Sequence, residues 1–395
     1  MATLGGSSRN VGVDLARAVA LLGIMAVHIF PAVQQDGDAH PAFLIDSGRT
    51  PALFPLLAGV GLALAHGGRR PPLPPAIWRD REGIVARAAL LIALGLMLGM
   101  VDSPPLVILV DFGFMFLGAT FFLRLGARSL WWLAVSWAVV VPTLSFVVRT
   151  GPAGTAGSPQ LPGPFGVAQP LVDIGLTSSY PVLVWLAYVL LGLAIGRTGL
   201  GPPGAALHLV LVGAVVAITA KLVSWASLSL VGGPERLADD TEGLSVVAPD
   251  MATQLQVGLA GTTPTTDWAW LLVTAPHSST TLDLFHTGGA AAAILGGCLV
   301  VADRVPRRRL TALVAFGSMT LTLYCLHVLA LARSGPFLHP NPLVLYAAQV
   351  AVGVGAATMW RTYVGRGPLE ALAALLDRSS RSVVRNRTRA RVRAG

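Results

Sequence analysis

Residues 205–231 read AALHLVLVGAVVAITAKLVSWASLSLV, a run whose only formal charge is Lys221. An α-helix needs about 20 mainly apolar residues to cross the hydrocarbon core of a bilayer, and this run exceeds that. Comparable runs recur from the first residues to the last quarter of the chain. Hydrophobic residues make up 54% of the 395 and charged residues 12%, against roughly 25% charged in a soluble domain. The expected fold is all-α: a polytopic membrane protein of about ten transmembrane helices. The apolar periodicity places them near 13–33, 50–66, 84–101, 104–123, 129–148, 179–196, 205–231, 283–302, 310–332 and 341–363. The first run is long and interrupted by charge, so it reads as a retained span, not a cleaved signal. The second contains Pro55, Gly59 and Gly61. Its proline removes one helical hydrogen bond, and its glycines let neighbouring backbones approach closely.

Arginine placement sets the expected orientation, since basic residues concentrate on the cytoplasmic side. With the N-terminus inside, the inner segments hold Arg9, Arg17, Arg69, Arg70, Arg79, Arg81, Arg87, Arg124, Arg128, Arg197, Arg304, Arg307 to Arg309 and nine arginines from Arg361 to Arg393. Only Arg49, Arg149, Arg236 and Arg333 fall outside. Both termini are therefore expected in the cytoplasm. The chain divides into a transmembrane domain, 1–364, with long outer loops at 149–178 and 232–282, and a basic tail, 365–395. The net charge of +9, distributed in this way, suits a membrane surface and not nucleic acid. Cys298 and Cys325 form no CxxC motif, and neither a disulfide framework nor a metal site is expected. Nothing in the sequence sets an oligomeric state.

Ionisable groups inside spans are costly and usually face a bundle interior or a cavity. On the first helix Asp14, Arg17, Met25 and His28 form one stripe. Arg17 and His28 are separated by about 16 Å along the axis. The late run FGSMTLTLYCLHVL carries Gly317, Thr320, Tyr324 and His327 at similar spacing. Asp283, His286 and Thr287 open the eighth expected helix, Asp111 lies in the outer half of the fourth, and Lys221 sits mid-span. His28, His40, His277, His286, His327 and His339 all fall on the outer side, above an arginine-lined inner side. Each has an ordinary structural reading, a packed histidine or an i,i+3 ion pair between Asp14 and Arg17. Together they suit a reaction that joins an anionic cytoplasmic donor to an outer acceptor, or a proton relay.

The stretch RNVGVDLARAVALLGIMAVHIF (9–30) resembles the opening of the bacterial YeiB-like membrane proteins. It is also similar to their relatives, the heparan-α-glucosaminide N-acetyltransferase-like proteins; Arg9, Asp14 and Arg17 carry the match. HPAFLIDSGRTPALFPLLAGVGLAL (40–64) is similar to the family's outer loop and second span through His40, Pro55 and Gly59. GSMTLTLYCLH (317–327) and RGPLEAL (366–372) resemble the YeiB-like late span and terminal signature. Ala18 replaces the family's usual glycine, and His28 stands where many relatives have asparagine. The resemblance implies a transmembrane acyltransferase of the plasma membrane. Such a protein moves an acyl group, acetyl foremost, from cytoplasmic acyl-CoA to a hydroxyl or amine of an extracytoplasmic sugar or other small acceptor. It also implies a catalytic histidine in the first outer loop, which maps to His40.

Acyl transfer from a thioester needs a base, support for an oxyanion and a site for the donor phosphates. The expected assignment makes His40 the base and His28 its partner. Arg17 with Arg87, Arg124 or Arg128 would hold the phosphates through the guanidinium fork, with Asp14 orienting Arg17. Tyr324, His327, His286 and Asp111 fall on the acceptor side. Two other readings remain open: a proton-coupled secondary transporter using Asp111, Lys221 and the histidines, and a scaffold presenting the acidic 232–282 loop.

Overall fold

The computed structural model describes residues 10–72, 76–101, 106–149, 171–202, 204–241, 244, 246–334 and 341–377. Most of the 149–178 loop, His339, Arg9 and the tail beyond 377 lie outside the described residues. Helices dominate: α1 Val11–Ile29, α2 Pro41–Asp46, α3 Arg49–Ala65, α4 Ala76–Gly99, α5 Leu109–Ala119, α6 Ala127–Val148, α7 Val182–Thr198 and α8 Ala205–Leu230. They continue with α9 Met251–Val257, α10 Thr281–Arg304, α11 Arg307–Gly317, α12 Thr320–Ser334 and α13 Pro342–Tyr363. A last helix, α14, covers 368–377. Among the described residues the only β-pairing is an isolated bridge between Val33 and Ala39.

Seven helices (α1, α3 with α2, α4, α6, α8, α10 and α13) are long and apolar enough to cross a membrane. Each of the ten expected spans has a helical counterpart, but three differ from expectation. The run at 310–332, expected as one helix, is α11 and α12 meeting at a 58° bend. The runs at 104–123 and 179–196 yield the shorter α5 and α7. The bend has a local cause. A Cβ on Gly317 would lie 1.8 Å from the Asp14 carbonyl oxygen, so the backbones of α11 and α1 touch there. The hydroxyl of Ser318 donates to Ala315 O at 2.8 Å, in the Gly–Ser setting where helices commonly break.

Burial orders the bundle. Two-thirds of the most apolar window of α1 is buried (67%), as is that of α2–α3, against 6% for α13 and 17% for α8. With water scarce in the bilayer, the buried helices are central and the exposed, apolar ones face lipid. Close backbone approach holds the centre together. A Cβ on Gly59 would fall 2.1 Å from Val189 O, and one on Gly192 1.9 Å from Leu56 O, so α3 and α7 interlock through small residues. Arg197, 1% exposed, donates to the carbonyls of Ala63, His66, Gly68 and Leu123. It thereby satisfies acceptors at the ends of α3 and α5.

The 232–282 loop is folded over a small core of its own that includes Leu237, Met251, Trp270 and Val273. Arg236 grips Asp267 with two hydrogen bonds, 2.7 and 3.0 Å. Ser47 donates to Val257 O at 3.0 Å, fixing the loop to the start of α3.

Candidate active site

α1 begins where Asn10 caps it, its side chain accepting from Val13 N at 3.2 Å. One turn in, Arg17 donates to Asp14 at 2.9 Å; the carboxylate is 2% exposed and the guanidinium 27%. Arg17 and Arg87 both open onto a cavity of about 100 Å³. Arg87 also lies over the ring of Phe116, 4.9 Å from its centroid. Apolar walls from Ile24, Leu91 and Phe112 lead along α1 to Thr320 and Tyr324 of α12. Arg124, before α6, and Arg128, in its first turn, are exposed and take no part in this lining. Of the five residues expected at the donor end, Asp14, Arg17 and Arg87 are thus brought together and two are not.

Tyr324 is buried at 4% exposure, and its hydroxyl, beside the Ile108 backbone, has no hydrogen bond of normal geometry. One helical turn beyond Ile24 and Tyr324 stand His28 and His327. His28 Nδ1 and His327 Nε2 are 3.1 Å apart. Their rings are nearly coplanar at 7°, with centroids 5.3 Å apart. That is the geometry of an in-plane hydrogen bond between ring edges. His327 Nδ1 lies 2.7 Å from Gln349 Oε1 on α13. A carbonyl oxygen can only accept, so His327 Nδ1 carries a proton and its Nε2 accepts from His28 Nδ1–H. His28 Nε2 is then left with its lone pair.

His40 stands at the start of α2. It caps α2, its Nδ1 accepting from Ala42 N at 3.1 Å, so the neutral ring carries its proton on Nε2. Its ring stacks on Phe30 at 4.9 Å and 19°, two residues past His28. His286 has both nitrogens engaged, with Arg49 Nη2 at 3.1 Å and Ala217 O at 2.9 Å. It ties α10 to α8 and α3. Asp111 accepts from Ser178 Oγ at 3.0 Å, and its second oxygen is buried without a partner. Lys221 lies on the exposed face of α8; its charged neighbours are Arg49 and Asp283, not Asp111.

Two residues of this region escaped the sequence reading as site members. Gln349 is the lone side-chain amide within α13, which was the signal for it. His277 stands in PHSSTT just before α10 and is held in the left-handed region at φ 59°, as is Ser279 at 57°. Non-glycine residues adopt that conformation at a cost and persist there only when their surroundings dictate it. Here they do. Ser279 Oγ donates to Gly261 O at 2.6 Å, its N–H donates to Asp283 at 3.1 Å, and Trp185 Nε1 donates to its hydroxyl at 3.3 Å. The His277 ring lies over Trp185 at 5.7 Å and against the edge of Tyr180. Burial pushes the His277 imidazole down to about 4, so it is neutral at pH 7.

The family profile for heparan-alpha-glucosaminide N-acetyltransferase, catalytic, matches residues 9–229, more than half of the chain. The chain belongs to that acetyltransferase family. It is thus an acyltransferase-family, multi-pass membrane protein, and the match spans α1 to α8 with Asp14, Arg17, His28, His40, Arg87 and Asp111. His277, Tyr324, His327 and Gln349 of the candidate site lie beyond the stretch matched by this acetyltransferase family. No curated protein matches the chain.

Proposed function

We propose that the protein transfers an acyl group, acetyl by family kinship, from cytoplasmic acyl-CoA to a hydroxyl or amine of an extracytoplasmic acceptor, a sugar or glycan. The arginine-rich end of the bundle then faces the cytoplasm, both termini lie inside, and the ten helical runs cross the plasma membrane. The observation that carries this reading is the cavity itself. It opens between two guanidinium groups and runs along α1 and α12 to within one turn of the paired imidazoles.

Arg17 and Arg87 bind the donor phosphates, where paired charge-assisted hydrogen bonds are strongest, and Asp14 holds Arg17 in place. The apolar walls take the extended arm of the donor. Tyr324 marks where the thioester lies. The acceptor attacks the thioester carbonyl, its proton passes to His28 Nε2, and the carbon–sulfur bond breaks to release the CoA thiol once the sulfur has regained a proton. Hydrogen bonds with His327 and, through it, Gln349 fix the tautomer of His28, as a carboxylate or carbonyl does for other basic imidazoles. This division of labour reverses the sequence-based one. His40, with its Nδ1 taken by the α2 cap, offers Nε2–H and suits support of the oxyanion. The transporter reading gains no support, because Asp111 and Lys221 lie in separate polar clusters.

The test is acetyl-CoA turnover by the purified full-length protein with His28→Ala and His40→Ala. Both variants are expected to lose turnover while still binding CoA. Full activity in His28→Ala would remove the proposed base.

A further inference from the structure

The bend between α11 and α12 leaves the first N–H groups of α12 without helical partners, in the wall of the donor cavity. They are satisfied from a distant part of the chain. Glu370 of α14 accepts from Leu321 N at 2.8 Å and Thr322 N at 3.1 Å with one carboxylate oxygen. Its other oxygen accepts from Thr322 Oγ1 at 2.6 Å. Leu369 N donates back to the same threonine hydroxyl at 3.2 Å. Arg361, in the last turn of α13, donates to Ser318 Oγ at 2.7 Å, so the end of α13 and the segment after it together grip both sides of the break. Gly367 leaves room for this: a Cβ there would fall 2.2 Å from the Glu370 carboxylate and 3.0 Å from Met319. The residues held by this cap are the ones that face the cavity, since Thr320 and Leu321 line it beside Arg17 and Arg87. Tyr324 follows one turn later.

We propose that Glu370 is a positioning residue for the donor site: by capping α12 it fixes the cavity wall formed by Thr320, Leu321 and Tyr324. The role rests on the acyl-CoA reading above. A carboxylate at a helix N-terminus is favoured both by its hydrogen bonds and by the helix dipole. Its charge has the opposite influence on the donor, because it sits near Arg87 and repels phosphate. Geometry and charge can therefore be separated by substitution. Glu370→Gln removes the charge but keeps a carbonyl oxygen for Leu321 N and Thr322 N. Glu370→Ala removes both.

The test uses the full chain in lipid nanodiscs, with coenzyme A as the binding probe, acetyl-CoA for turnover, and hydrogen exchange at the first amides of α12. Glu370→Ala is expected to raise the Kd for CoA and the KM for acetyl-CoA about tenfold or more. Turnover at saturation stays within about threefold, and the Leu321 and Thr322 amides exchange faster. Glu370→Gln is expected to bind CoA within about threefold of the wild type, or more tightly. Thr322→Val, which keeps the two backbone bonds, is expected to raise KM about threefold and stands in if Glu370→Ala fails to fold. A wild type that binds CoA while Glu370→Ala and Thr322→Val bind it equally well overturns the positioning role alone. So does Glu370→Gln behaving like Glu370→Ala. A wild type that binds no CoA overturns the donor reading and this role with it.

Discussion

At one end of the α1–α12 interface Arg17 keeps 27% of its side chain exposed and leans on one carboxylate. At the other, His327 is buried at 4% and both its ring nitrogens are bonded. Long guanidinium side chains on a partly open rim can adapt to a charged ligand, and they bind it through charge and fork geometry. Imidazoles with committed nitrogens cannot adapt in this way. They hold one tautomer, and a base needs that more than it needs affinity. The contrast gives the two ends separable signatures: changes at the guanidinium end should move KM, and changes at the imidazole end should move kcat.

The largest expected effect is at His28. His28→Ala should lower kcat for acetyl-CoA turnover by about 10³-fold, within the usual range for a lost general base, with the CoA Kd unchanged. Titration of binding beside steady-state rates checks it. Arg17→Ala comes next. Loss of charge-assisted hydrogen bonds of about 1.5–3 kcal/mol should raise KM for acetyl-CoA by about 10- to 100-fold at nearly constant kcat. Arg17→Lys should recover only part of that, because an ammonium lacks the fork. A drop in kcat with KM intact would erase the contrast between the ends. Gln349→Leu should lower kcat about tenfold by freeing the tautomer of His327, whereas Gln349→Glu, still an acceptor toward Nδ1, should keep most activity.

The smallest effect concerns the loop histidine. His277 has its imidazole held at about 4 in the folded protein, below the ordinary 6.5. Its depressed value means that its contribution to stability is complete above pH 6.5. That contribution is lost as the pH falls toward 4, where the unfolded chain takes up a proton that the folded chain refuses. His277→Asn tolerates the left-handed backbone and does not titrate. It should show a smaller fall in melting temperature between pH 7 and pH 4.5 than the wild type; equal falls would mean that His277 is not buried neutral.

Much of this was legible beforehand, for physical reasons that vary by residue. The seven long apolar helices announced themselves because a bilayer demands length and apolarity in one continuous stretch. The stripe Asp14–Arg17–His28 followed from helical periodicity, and Thr320, Tyr324 and His327 from the same rule on α12. The break at Ser318 did not follow, although Gly317–Ser318 was a cue, because only the contact with α1 shows why the backbone must part there. The His28–His327 pair was invisible, since nothing local to residue 28 specifies a partner 299 positions away. Arg197 read as one more basic loop residue because counting charges does not tell a solvated guanidinium from one bonded to four carbonyls. The helix-capping bond of His40 was hidden for a similar reason: the cap on α2 that takes Nδ1 of His40 exists only once Pro41 begins that helix, and it is this bond that leads the proposed mechanism to make His28 the base.

Whether a donor gripped at Arg17 and Arg87 presents its acyl carbon to His28 can be read directly by photolabelling. An acyl-CoA whose acyl chain ends in a diazirine would be irradiated with the purified protein, and the adducts mapped by peptide mass spectrometry. The expected adducts fall on the α1 peptide containing Ile24 and His28 and on the α12 peptide containing Tyr324 and His327, and excess CoA abolishes them. Adducts confined to other helices, or unaffected by excess CoA, would contradict a passage between the two ends.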